Sequence, residues 1–141
     1  MSLSPYPAGL LRRLAAAIYD LFLLVALWLI AGLALLPFHG GEAVDGHNPL
    51  VRLYFLFVPY LFFSWFWTRG GQTLGMRAWR MQVRAADGGP VEWHHAVRRY
   101  AGAWVSWLSI VGMLWCLVDA QRRCLQDIVS GTEVIVYPRE G

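Results

Sequence analysis

The sequence predicts an all-α membrane protein. Two transmembrane helices are followed by a re-entrant helical hairpin or a third span, with a small cytoplasmic β element, all in one domain of residues 1–141. Three observations carry this prediction. Charged residues make up 15% of the chain, against about 25% in a typical soluble domain. The 23 residues from Leu14 to Leu36 form one apolar run, long enough at about 1.5 Å per residue to cross a hydrocarbon core of about 30 Å. Finally, the arginines fall unevenly about the apolar segments, as they do in multi-pass proteins.

Residues 1–13 are short and polar. Pro5 and Pro7 keep them non-helical, and Arg12-Arg13 mark a membrane interface. The first span, about 14–36, ends at Pro37. It is longer than the apolar core of a cleavable signal, about 7–15 residues, so it is expected to remain as an anchor. The following loop holds Gly40, Gly41 and Gly46 with Glu42 and Asp45 and no arginine. Asn48 and Pro49 form a helix start, cap then first position, for a second span of about 49–68. Pro59 should kink that span, Arg52 can snorkel to the near surface, and Trp65 and Trp67 fit the far headgroup layer.

A polar insert follows, about 69–93. Gln72 to Arg77 reads as a short helix or turn. Arg80 to Ala85 alternates apolar and polar residues as a half-exposed strand does. Asp87-Gly88-Gly89-Pro90 is a turn, after which Val91-Glu92-Trp93 is expected to pair back as a second strand. Residues 133–137 read as a further strand of the same sheet. The segment of about 94–121 is ambiguous. His95, Arg99, Gly102, Ser106 and Ser109 recur at helical spacing as a polar or small stripe, with Gly102 and Ser106 suited to close helix packing. The 18 residues from Ala101 to Val118 can just span a bilayer. Charge favours a hairpin instead. Arg12-Arg13, the six arginines at 69, 77, 80, 84, 98 and 99, and Arg122, Arg123 and Arg139 all belong inside by the positive-inside rule. Ser109 and Gly112 are the natural bend. The chain is thus expected in a bacterial inner membrane, multi-pass, with a cytoplasmic N-terminus.

All 12 basic residues are arginine, and the formal charge is +3. That balance suits a membrane surface, and no soluble basic domain remains to bind nucleic acid. Cys116 and Cys124 lack metal-type spacing and are expected to be reduced and structural. No nucleophile–base pair, P-loop or dinucleotide fingerprint is present, so no enzymatic activity and no cofactor are expected. His39, Glu42, Asp45 and His47 cluster in the glycine-rich loop and could in principle hold a divalent ion, but polar loops of this kind are far commoner than metal sites, and none is assigned.

Asp20 is the most informative residue, because a carboxylate in an apolar run costs several kcal/mol unless it is paired or hydrated. It is either a functional group or a packing device held by another helix through Tyr60, Ser64 or an arginine of the insert. Arg12-Arg13-Leu14-Ala15-Ala16 followed by Asp20, then Gln72-Thr73-Leu74-Gly75, the stretch from Val83 to Gly89, and Leu125-Gln126-Asp127 ending in Gly131-Thr132 together resemble the RDD family of small bacterial membrane proteins. These blocks cover nearly the whole chain in the family's order. The resemblance places the family's arginine on Arg13 or Arg12 and its two aspartates on Asp20 and Asp127. Where members often carry His-Asp near the C-terminus, this chain has Gln126-Asp127; where they often carry Lys after Leu-Gly, it has Met76 and then Arg77. Asp127 is placed to cap the short helix leading to Gly131, and one cytoplasm-facing cluster of Asp20, Asp127 and arginine would unite all three positions. The resemblance implies transport of a cation, proton or small solute, with two spans and a hairpin pointing to a homo-oligomer or a membrane-protein partner. The alternative is a non-transporting scaffold or accessory subunit.

Overall fold

The computed structural model describes residues 4–138, so Arg139 lies outside the described residues. Helix α1 runs Leu10–Leu35 and continues as a 3-10 turn, Leu36–His39, closed by Gly40 at φ 64°. It begins at Leu10, after Gly9 as N-cap and earlier than the sequence suggests, so Arg12 and Arg13 lie in its first turn. Helix α2, Pro49–Arg69, opens as expected, with the Asn48 side chain accepting from Leu50 N at 2.9 Å. The two are antiparallel neighbours. Pro59 has no N–H, which leaves the carbonyl four residues earlier without its helical donor. Trp28 Nε1 of α1 donates to that carbonyl, Phe55 O, at 2.9 Å, and Tyr54 OH donates to Ala31 O at 3.2 Å. The carbonyl that Pro59 leaves free is therefore a point of attachment between the helices. The outer faces are apolar and bare, with Phe22 73% and Leu29 66% exposed. That exposure fits helices whose backbone bonds are internal and whose side chains meet lipid. Both helices are long and apolar enough to cross a membrane.

Strands β1 (Tyr6–Pro7), β2 (Met81–Ala85) and β3 (Thr132–Val136) form one antiparallel sheet in the order β1-β3-β2. Tyr6 pairs with Val136 and Met81 pairs with the same residue from the other side. The expected strand at Val91–Trp93 does not form. Glu92 caps helix α4 (Trp93–Ser109) through a capping box with His95, and Trp93 is already helical. Val91 is buried, so the apolar signal there was real, but it serves packing beneath the sheet. The third strand is β1, in the polar start. Two residues, one of them proline, present no alternation to read. The core gathers under this sheet: Ala8, Ala16, Met81, Val83, Ala96, Val134 and Val136.

The sheet decides the topology of the last third. Its strands come from before α1, from after α2 and from the C-terminal segment, and paired strands must lie on one side of the bilayer. Helix α4 leaves the sheet, reverses at Ile110 (φ 58°) and returns through α5 (Val111–Leu114) and a 3-10 turn, Trp115–Leu117, bent by 104°. The return reaches Arg122, whose carbonyl accepts from Arg13 Nη2 at 2.9 Å, at the base of α1. The segment is thus a hairpin that enters and leaves on the sheet side. The reversal falls between Ser109 and Gly112. A Cβ at Gly112 would lie 2.8 Å from Ser106 Cα, so only glycine lets the two arms close. Short helices α3 (Leu74–Ala78) and α6 (Leu125–Ser130) complete the fold beside the sheet. Reporters fused before Met1 and after Gly141 are expected to score on the same side of the membrane; opposite sides would restore three spans.

Candidate functional site

The three charged positions singled out in the sequence gather at the sheet end, in two separate constellations. Asp127, at the third position of α6, has a fully buried side chain. One carboxylate oxygen accepts from Arg13 Nη1 at 2.7 Å and from Cys124 N at 3.2 Å; the other accepts from Arg99 Nη1 of α4. Arg99 Nη1 also donates to Thr132 Oγ1 at 3.1 Å. Arg13 spends its other nitrogens on Ala8 O and Arg122 O. One carboxylate therefore ties α1, α4 and α6 together, and Asp127 is both the expected cap and an ion-pair centre. Burial alone would raise its pKa, but Arg99 and Arg13 more than offset this and hold it below the usual carboxylate range.

Asp20 stands apart from that cluster, and no arginine among the described residues pairs with it. Neither Tyr60 nor Ser64 holds it; Ser64 Oγ is buried without a partner. Instead, the carboxylate docks on the start of α3. Thr73 Oγ1 donates to it at 2.6 Å while accepting from Met76 N at 3.2 Å, and Gly75 N donates at 3.0 Å. The Thr73 hydroxyl thus caps α3 with its lone pair and binds Asp20 with its proton. Gly75 is required by the closeness of the helices, because a Cβ there would come within 2.3 Å of Ala16 O.

The register of α1 against α2, fixed by the Tyr54–Ala31 and Trp28–Phe55 bonds, carries Asp20 to the level of Trp65. Arg69, about one turn further along α2, lies over the Trp65 ring at 4.5 Å. Helix α3 reaches the level of Asp20, which a hydropathy pattern cannot show.

Between α1, α2 and α4 lies a cavity of about 470 Å³. Arg13, Asp20, Thr73, Arg99 and Gln126 line it together with apolar side chains from all three helices. Arg12 is not part of it; its guanidinium donates to Trp79 O at 3.3 Å. Arg99 belongs to the site although only its place on the polar stripe of α4 pointed to it. Thr73 was visible only as part of a motif.

A model of the RDD family matches residues 7–131. The chain belongs to the RDD family. No curated protein and no solved structure matches it. With two helices fit to cross a bilayer, it is an RDD-family membrane protein. Of Arg12 and Arg13 in this RDD protein, Arg13 is the one that pairs with Asp127, at 2.7 Å. The two blocks around Thr73-Leu74-Gly75 and Gln126-Asp127 are the receptors for Asp20 and Arg13 respectively.

The other polar groups stay apart from this site. In the far loop, His39 Nδ1 lies 3.1 Å from Leu35 O, and Asp45 accepts from His47 N at 2.9 Å. Among the described residues, no three His, Cys, Asp or Glu side chains come together to hold a metal. Cys116 and Cys124 are free and buried, and burial pushes the Cys124 thiol up to about 12, far from the reactive thiolate range.

Proposed function

We propose that this RDD protein takes part in transport of a cation, proton or small solute, with Asp20 as the exchanging group. The observation that supports this reading is the position of Asp20: a carboxylate on the wall of an interhelical cavity, released from its protein partners if α3 shifts. Two spans and a hairpin enclose too little to form a complete path, so the working unit is a homo-oligomer or includes a membrane-protein partner. The sheet end, with Arg12, Arg13 and the arginines of the insert, faces the cytoplasm of a bacterial inner membrane by the positive-inside rule. The second reading, a non-transporting scaffold or accessory subunit, draws on the Arg13–Asp127–Arg99 cluster, whose bonds are all internal.

Ion flux in liposomes separates the two. If Asp20 exchanges a proton or cation, Asp20→Asn keeps Thr73 and Gly75 as partners, folds, and loses flux, because an amide does not titrate. A scaffold shows no flux in the wild type, and Asp20→Asn changes only its melting in detergent.

A further inference from the structure

We propose that the interhelical cavity binds a single-chain anionic amphiphile, a long-chain carboxylate, with its head at the Arg99 end and its tail between α1, α2 and α4. The first support is charge. Arg13 and Arg99 share one carboxylate, Asp127, which leaves a unit of positive charge in a buried cluster. An uncompensated buried charge is costly and calls for a counterion. Asp20, also on the cavity wall, is two helical turns from Arg13, about 10.5 Å along the axis, and is committed to Thr73 and Gly75.

The second support is the unused bonding edge of Arg99. Its Nη1 serves Asp127 and Thr132, while its Nε is buried with no partner among the described residues. The Nε edge of a guanidinium is a side that a planar carboxylate can grip through two parallel bonds. Gln126, at the same end, also holds a buried amide oxygen without a partner. Turned over, that amide offers N–H donors to the same head. Arg99 and Gln126 both line the cavity, so a side-chain adjustment of the two would bring the head to the buried Nε.

The third support is the rest of the wall. Leu21, Leu24, Trp28, Phe63, Trp104 and Trp107 offer a tail nothing but apolar surface. A volume of about 470 Å³ lies in the range of small-molecule sites, about 300–1,000 Å³. A small hydrated ion would leave most of that surface unused. One polar end and one apolar body match a carboxylate on a single chain. This binding reading stands whether or not the protein moves anything across the membrane.

The test is binding to the full chain purified in a neutral detergent, with palmitate, methyl palmitate and a two-chain phosphatidylglycerol as probes. Wild type is compared with Arg99→Gln and with Ala103→Phe, which fills the cavity one helical turn from Arg99. Palmitate is expected to bind at about one per chain, roughly tenfold tighter than its uncharged ester, since the bond to a charged group is lost in the ester. Ala103→Phe, with unchanged melting, should weaken it by a similar factor, and Arg99→Gln should erase the preference for acid over ester. Equal binding of ester and acid, indifference to Ala103→Phe, no retained palmitate, or stronger retention of phosphatidylglycerol would each overturn the proposal. No flux is measured, so this result is independent of the liposome experiment.

Discussion

Asp127→Ala is expected to lose about 3–5 kcal/mol of stability, the usual cost of removing one member of a buried ion pair and stranding the other. Here two guanidiniums are stranded, Arg13 and Arg99, and the α6 start loses its bond to Cys124 N. Asp127→Asn should cost less, because an amide still accepts hydrogen bonds while losing the charge. Thiol-reactive dyes give a local readout, since Cys116 and Cys124 are the only cysteines and both are buried near this cluster. Their labelling temperature should fall furthest in Asp127→Ala. The pH dependence has a definite sign. The folded pKa of Asp127 lies below its ordinary value of 3.8, so its contribution is complete above that value and drains away as pH falls through the folded pKa. Acid should therefore loosen the wild type and have a much smaller effect in Asp127→Asn.

Gly75→Ala is the second large effect. It adds one methyl group in a short helix where alanine is otherwise favourable, so propensity alone predicts a gain. The geometry predicts a loss, because the new Cβ would sit 2.3 Å from Ala16 O and 2.9 Å from Asp20 Oδ1. Backbone cannot yield as a flexible side chain can, so α3 must move outward, and both donors to Asp20 move with it. Overpacking of this kind costs about 1–3 kcal/mol, and the lost bonds to a buried carboxylate add to it. Melting of Gly75→Ala in detergent should drop clearly below wild type. Adding Asp20→Asn should cost little more, because its partners are already displaced. A Gly75→Ala protein as stable as wild type would show that α3 does not press on α1.

Much of this arrangement was legible in the sequence because it rests on local chemistry. Asn48-Pro49 starts a helix, long apolar runs mark α1 and α2, and Met81, Val83 and Ala85 alternate with arginine and glutamine as in a half-exposed strand. Arginine on both flanks of the hairpin pointed to its return, which the sheet then required. Long-range pairings were the obscure part. Nothing near Asp20 says that Thr73, 53 positions away, will meet it, and nothing near Arg99 says that Asp127 will. The motif blocks supplied the residues without their partners. β1 was unreadable because two residues carry no period, and Val91 was misread because a buried residue under a sheet and a residue in one share the same apolar signature.

Arg13, Asp20 and Asp127 fasten the sheet end onto the spanning helices, with Arg13 and Asp127 as direct partners. A double-mutant cycle of Arg13→Gln and Asp127→Asn, read as unfolding free energy from thiol labelling in detergent, tests it most directly. The double variant should be less damaged than the sum of the singles, with a coupling of about 1–3 kcal/mol. Strict additivity would mean that the two side chains do not meet, and would contradict it.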